Sequence, residues 1–462
     1  MSTPTEPSAT SADAKISPQA PRGNLKMNAL EVALLIGVSV SLNTILGSFT
    51  GVKSNYLLHV GLHLSASQMA TFALIAGVPA YLRPFMGSWA DLFPLFGLHR
   101  KSYYILSWLA FAAGQLIIGF IPTPEYTYQT IVLLTIIAGL GANLLFVIMD
   151  SIMVAVGNQT GEIGRFQSIQ QGLPLVIALG FGSHLSGYVA QNWTYQQCYL
   201  AAGAVAAVGT LTALLVHEQP VDRRDQHLPN TLAERHIEKL QDKRDTADHA
   251  RALGKALMSP GLWMCVVYVF YLILTPGPGQ AQFVYFTTAL HYSPQFIGDL
   301  GVPGNAGAIL ATAVFLLAGR KLPTAVYVWG AFLGDLSSYP LLFLYKGHLS
   351  AEIITFVSSA TGQIYNLCLL TFAAKVTPKG VEASIYALFV SATAFAGNIS
   401  NLFGSWMYDF FGPENHHSIV FGWHVCAWVG IFFTLVACVL IPFLPRWTRD
   451  PQFERETRPE PA

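Results

Sequence analysis

Twelve apolar runs, each long enough to cross a lipid bilayer, constrain this chain more than any other feature. Bounded by Gly, Pro and charged residues, they fall near 29–58, 66–90, 102–121, 128–156, 166–190, 197–216, 260–289, 294–318, 323–345, 350–376, 380–411 and 418–444. A helix needs about 20 apolar residues to traverse a hydrocarbon core about 30 Å thick. In lipid each spanning segment must satisfy its own backbone polar groups, so every run is predicted to be a helix. A membrane barrel would show segments of about ten residues alternating in polarity, and the stretch from Ile131 to Val147 does not alternate. Of the 462 residues, 53% are hydrophobic and 11% charged, against roughly 25% charged in a soluble domain. Several runs exceed the minimum, which predicts tilted helices with extramembrane ends.

Charge distribution orients the chain. Basic residues near spans favour the cytoplasmic side. Of the 25 Lys and Arg, all but Lys53, Arg83 and Lys346 lie in the tails, in the even-numbered loops or at their margins. Both termini and the long central loop are therefore expected to be cytoplasmic, in a multi-pass protein of a cell membrane, taken as the bacterial inner membrane. Residues 1–27, rich in Pro, Ser, Thr and Ala, read as a disordered tail without a cleaved signal. Residues 218–257 mix both signs and read as a linker, with an amphipathic helix around Leu232 to Leu253. The expected fold is all-α and polytopic, twelve transmembrane helices in two six-helix bundles over 28–217 and 258–445, followed by a tail over 446–462. Leu62-His63-Leu64-Ser65-Ala66-Ser67-Gln68 opens the second run and Leu290-His291-Tyr292-Ser293-Pro294-Gln295 the eighth. These are equivalent positions in a six-plus-six repeat, although Ser before a helix is also ordinary capping chemistry.

With 25 basic and 25 acidic residues the formal net charge is zero, which points away from nucleic acid. Cys198, Cys265, Cys368, Cys426 and Cys438 are scattered without metal-type spacing, so no metal or cofactor is expected. No phosphate loop, dinucleotide fingerprint, HExxH or nucleophile elbow appears, which argues against an enzyme or an ATP-driven pump.

From the end of the second run into the third reads Arg83-Pro84-Phe85-Met86-Gly87-Ser88-Trp89-Ala90-Asp91-Leu92-Phe93-Pro94-Leu95-Phe96-Gly97-Leu98-His99-Arg100-Lys101-Ser102-Tyr103. Gly87 lets a neighbouring helix approach. Asp91, Gly97, Arg100 and Lys101 make a charge cluster at a membrane rim, where ion pairs hold one conformation and release another. The block resembles the signature loop of the major facilitator superfamily, lengthened by three residues as in the folate-biopterin transporter family. Pro378-Lys379-Gly380-Val381-Glu382-Ala383, between the tenth and eleventh runs, is similar to that family's pattern, and the resemblance extends from about residue 45 to about 410. It implies a secondary transporter of folates or pterins. The fourth run departs from the pattern, keeping Asp150 but placing Phe146 at a usual acid and Ala155 at a usual Glu, and His99 stands for an Arg.

An ionisable group in a span costs about 2.5–3.5 kcal/mol at the helix centre, so each asks for a reason. Asp150 lies seven residues after Asn143 on one face of the fourth span, as a proton carrier, a counterion or a structural pair. Arg83 is placed to hold a carboxylate or a pterin edge, or to pair with Asp91. Asp299 and Asp335 lack a base in their own spans. The resemblance implies that the first, fourth, seventh and tenth spans line a cavity, which nominates Asn43, Asn143, Asp150, Tyr271, Gln280, Gln282, Gln363 and Asn366 for solute contact or coupling, beside Arg83 and Asp335; interhelical hydrogen bonding is the plain alternative for each amide. Pro276 and Pro278 break the seventh span and read as a gate hinge, and Lys379 and Glu382 join the gating set. The 29 Phe, 19 Tyr and 9 Trp suit interfacial belts as well as ligand stacking. The expected partners are a small-molecule solute and the bilayer, with protons as candidate coupling ion and the chain a monomer. Alternatives are a transporter-shaped assembly or pigment-handling protein, and a facilitator for a different solute.

Overall fold

The computed structural model describes residues 25–93, 95–98, 100–122, 125–219, 260–318, 322–376 and 382–449. Nearly all of the predicted N-terminal tail, most of the linker, Lys379 and residues 450–462 lie outside that set. The chain runs as α1 (Ala29–Gly61), α2 in three pieces (Ala66–Ala76, Val78–Tyr81 and Arg83–Leu92), α3 (Lys101–Phe120), α4 (Tyr128–Thr160), α5 (Ile163–Asn192) and α6 (Tyr195–Leu215). Then follow α7 (Pro260–Thr288), α8 (Pro294–Leu317), α9 (Thr324–Leu341), α10 (His348–Val376), α11 (Glu382–Phe411) and α12 (Ile419–Phe443). Each coincides with one predicted apolar run. Among the described residues nine are long and apolar enough to cross a membrane. The other three carry what breaks an apolar helix: Pro79 and Pro84 in α2, Asp335 in α9, and a polar series through Asn398, Asn401 and Asp409 in α11.

The repeat is visible in the backbone. His63 and His291 both take a left-handed conformation, at φ 53° and 51°. Around His63, Leu62 N donates to Leu57 O (2.8 Å) and Leu64 N to Leu58 O (3.0 Å); around His291, Leu290 N donates to Tyr285 O (3.2 Å) and Tyr292 N to Phe286 O (2.9 Å). Ser65 then caps α2 through the Gln68 amide and Ser293 caps α8 through the Phe296 amide. The same turn with the same cap at both places is more than capping alone requires, and it favours repetition.

Packing is divided in three. One apolar core gathers Leu35, Trp108, Ile152 and Phe166 within the first six helices, and a second gathers Tyr268, Val328 and Phe372 within the last six. A third crosses between the halves, joining Leu57, Met69 and Phe72 to Phe283, Tyr285, Tyr408 and Trp423. It sits at the end that carries the α1–α2 and α7–α8 turns, called the turn end below. The halves meet along α2 with α11 and α5 with α8, and their main contacts involve Ala66–Ala76, Ser183–Asn192 and Pro294–Asp299, all near that end. The bundle is therefore closed at the turn end.

The predicted break in α7 is present, and its freed backbone groups are bound. The helix stops at Leu274 and resumes at Gly279. Ser400 Oγ donates to Thr275 O (2.5 Å), Gly277 N donates to Ser400 Oγ (3.2 Å) and Gln280 N to Asn401 Oδ1 (2.8 Å). Non-helical backbone at membrane depth survives only where protein or water satisfies it; here α11 does. Gly279 has φ +41°, and a Cβ there would lie 1.7 Å from Asn401 Oδ1, so no larger residue fits this stitch.

Candidate functional site

A polar cluster occupies the first half. The last piece of α2 begins at Arg83, with Pro84 in its first turn. Arg83 Nε donates to Asn143 Oδ1 (2.7 Å), and Asn143 is fixed by its own donation to Gly139 O (2.8 Å). The guanidinium stands over the Phe146 ring at 5.7 Å. Neither Nη group has a hydrogen-bond partner among the described residues, so the fork end of Arg83 is open. One helical face below, Asp150 Oδ1 accepts from Gln170 Nε2 of α5 (2.8 Å). Among the described residues no base forms an ion pair with Asp150, which stays exposed and within electrostatic range of Arg83. The side chain of Asp91, the alternative partner of Arg83, lies outside the described set. Phe146 places an aromatic face under the guanidinium, which attracts the cation.

The second half holds a cavity of about 560 Å³ between α7, α8 and α10, within the range of small-molecule sites. Gln282, Asn305, Thr355, Ser359 and Gln363 present neutral polar groups to it, and Gly301, Gly304 and Gly362 keep its walls thin. Gln363 Nε2 donates to Thr312 Oγ1 (3.1 Å), and its Oε1 has no hydrogen bond among the described residues. Asn305 reaches Ser183 of α5 (3.4 Å), so the cavity abuts the other half near the turn end. A smaller cavity of about 220 Å³ lies beside it, sharing Gln282 and lined by Asp335, Ser338, Tyr345 and Ser358. There Thr434 Oγ donates to Asp335 Oδ2 (2.7 Å).

At the turn end the halves are tied together. His184 Nδ1 lies 2.7 Å from Asp299 Oδ1, which answers why α8 carries an acid without a base of its own. Gly187 and Gly298 place α5 and α8 in backbone contact: a Cβ on Gly298 would fall 2.3 Å from Gly187 Cα. Tyr56 packs edge-on against Phe283 at 5.0 Å.

The sequence model of the BT1 family matches residues 46–453. The chain belongs to the BT1 family. A folate-biopterin transporter of Synechocystis sp. is 23% identical over 370 residues, covering 78% of this chain and 71% of that protein. Folate transporter 1 of Plasmodium falciparum is 19% identical over 396 residues, covering 82% and 72%. Among solved structures the nucleoside transporter NupG superposes with a TM-score of 0.64 at 14% identity, over 88% of this chain and 98% of that one. A D-xylose-proton symporter gives 0.62 at 15%, over 91% and 99%. At such identities the superpositions establish the fold, that of major-facilitator transporters, in agreement with the twelve-helix expectation.

In this BT1 chain the signature loop is partly described. Gly97 takes φ +77°, Arg100 is buried and its Nε donates to Ser151 Oγ of α4 (2.9 Å), and Glu218 Oε2 accepts the amides of Arg100 (3.0 Å) and Lys101 (2.8 Å). These contacts tie the loop to α4 and to the start of the linker; the side chains of Asp91 and Glu382 are not among those described. Gly87 faces Val147 of α4 at 3.4 Å from an added Cβ. Of the nominated cavity residues, Gln282 and Gln363 line the large cavity and Asp335 and Pro278 the small one. Tyr271 instead stacks on Phe433 (6.4 Å), Gln280 is engaged through its backbone, Asn366 is exposed away from both cavities, Pro276 is buried, and Asn43 makes no hydrogen bond among the described residues.

Four residues escaped the sequence reading. Asn305 and Ser359 carried no charge to flag them. Asp409 stood in the last turns of a polar helix without a motif. Lys53 was flagged only as a base on the wrong side of the charge pattern; it is buried, with Nζ donating to Ala190 O (2.9 Å) and Trp193 O at the end of α5, over the Tyr195 ring at 4.9 Å. A cation at a helix C-terminus is favoured by its dipole, so its place follows from local electrostatics and not from orientation.

Proposed function

We propose that this chain is a secondary transporter that carries a folate-like or pterin-like solute by alternating access of its two halves, coupled to protons. The observation that carries the reading is the pairing of an open guanidinium fork in the first half with a neutral, amide-lined cavity in the second. A pterin ring is flat and offers neutral donors and acceptors, which suits Asn305, Ser359 and Gln363; a folate adds carboxylates, which suit the Arg83 fork. The names of the Synechocystis and Plasmodium relatives support the same solute class. With both termini cytoplasmic, the turn end faces outward, and the closed turn end makes this the state open to the cytoplasm. The protein works as a monomer in a bacterial inner membrane.

Asp150 is the proposed proton carrier: it is accessible, lies in the span, and its described partner is the neutral Gln170. In proteoliposomes with an acid outer bath, labelled folate or pterin is expected to accumulate inside above equilibrium and to leak back when a protonophore is added. Asp150→Asn should lose accumulation and keep solute exchange, because exchange needs no net proton movement. Uptake that ignores the imposed gradient defeats the proton claim, and the absence of any thermal stabilisation by folates or pterins defeats the solute claim.

A further inference from the structure

The two halves share a contact that the repeat makes recognisable. Every helix leaves its first backbone N–H groups without intrahelical partners. In α2, Ser65 takes the amide of Gln68, and the amide of Ser67 is taken by Asp409 Oδ2 of α11 at 2.7 Å. In α8, Ser293 takes the amide of Phe296, Pro294 has none to offer, and the amide of Gln295 is taken by Gln191 Oε1 of α5 at 3.2 Å. Ser67 and Gln295 occupy the same place two residues after the capping serine. Each half therefore caps the entry helix of the other, with α11 serving α2 and α5 serving α8.

The two caps are unequal. Asp409 is 3% exposed, and no base pairs with it among the described residues, so its described compensation is the N-terminus of α2, whose dipole favours an anion. Gln191 is neutral and exposed; water replaces it readily. Opening the turn end separates α2 from α11 and strips Asp409 of its partner, whereas losing the Gln191 contact changes little.

We infer that Asp409 is a gating residue of the transport cycle, a carboxylate latch from α11 that holds the turn end shut by capping α2, with Gln191 as its weak counterpart on α5. This rests on the alternating-access reading and not on the solute. It is tested on the full-length protein without solute, by double electron-electron resonance between nitroxides at Glu125→Cys and Glu414→Cys. Both positions are exposed, at the turn end and on opposite halves; the half-exposed Cys438 is replaced by serine. The unmodified latch should give mainly the short distance. Asp409→Ala should raise the ratio of long to short distance about tenfold, the scale of a lost charge-assisted cap. Asp409→Asn, which keeps an acceptor but no charge, should raise it about threefold, and Gln191→Ala less than about twofold. An unchanged distribution in Asp409→Ala overturns the inference, as does an equal shift in Gln191→Ala. Should Asp409→Ala not yield monodisperse protein, Asp409→Asn decides alone: a shift supports the latch and no shift overturns it. A latch that works in a protein that ignores folates would leave this inference standing and remove the solute proposal.

Discussion

Gly298→Val should arrest transport by keeping α5 and α8 apart at the turn end. A Cβ at this position would sit 2.3 Å from both Gly187 Cα and Gly187 N and 3.0 Å from Ser183 O. All three are backbone atoms or nearly fixed ones, so no rotamer change relieves the clash. Carbon atoms at rest stand about 3.5–4.0 Å apart, so the helices must part by more than about 1 Å. Overpacking of this kind costs about 1–3 kcal/mol where side chains can yield, and more is expected against backbone. On the alternating-access reading the contact is made only when the turn end is closed, so the cost falls on that state. Uptake is then expected to drop about 10-fold to 100-fold, while the protein still folds and populates the turn-end-open state. Gly172→Val in α5, the helix that Gly298 packs against, is the control, since nothing lies within 4 Å of a Cβ added there. Initial-rate uptake and the nitroxide distance across the turn end read the result together. Normal uptake by Gly298→Val would mean that the closure seen here is not visited during turnover.

Arg83→Ala should cost about 30-fold to several thousandfold in the transport efficiency of carboxylate-bearing solutes, the range for removing one partner of a hydrogen-bonded charge pair. Its Nε is spent on Asn143 (2.7 Å), and the two Nη groups remain for a ligand. Arg83→Lys should not restore function, since an ammonium cannot bond Asn143 and a carboxylate with one planar fork. A pterin without the carboxylate tail should lose less than about tenfold, because its neutral ring is read by the amide-lined cavity. Competition uptake with the two solutes measures the difference. Equal losses would assign Arg83 to holding α2 on α4 and remove it from solute recognition.

The chain order of the twelve helices was legible from hydropathy because lipid demands about 20 apolar residues per crossing and tolerates few charges. The α7 break was legible as well: Pro276 and Pro278 lack amide donors whatever surrounds them. Asp299 was legible as a question, an acid needing a partner, and the answer, His184, lies in the other half. What hid the rest is the solvent. In a soluble helix the polar face marks the outside and the apolar face the core. In a membrane helix both faces are apolar, so periodicity does not tell lipid from protein. Asn366 and Gln363, three residues apart on α10, looked alike for that reason, and only Gln363 meets the cavity.

By itself, the sequence determined the number of spans and the family, since each follows from local chemistry written along the chain. Tertiary structure alone decided which polar groups meet. Ser67 and Asp409 are 342 residues apart, and Gly187 and Gly298 belong to different halves. Such pairs are selected by how the two six-helix halves dock. Docking depends on small residues and single hydrogen bonds, which a hydropathy pattern does not carry.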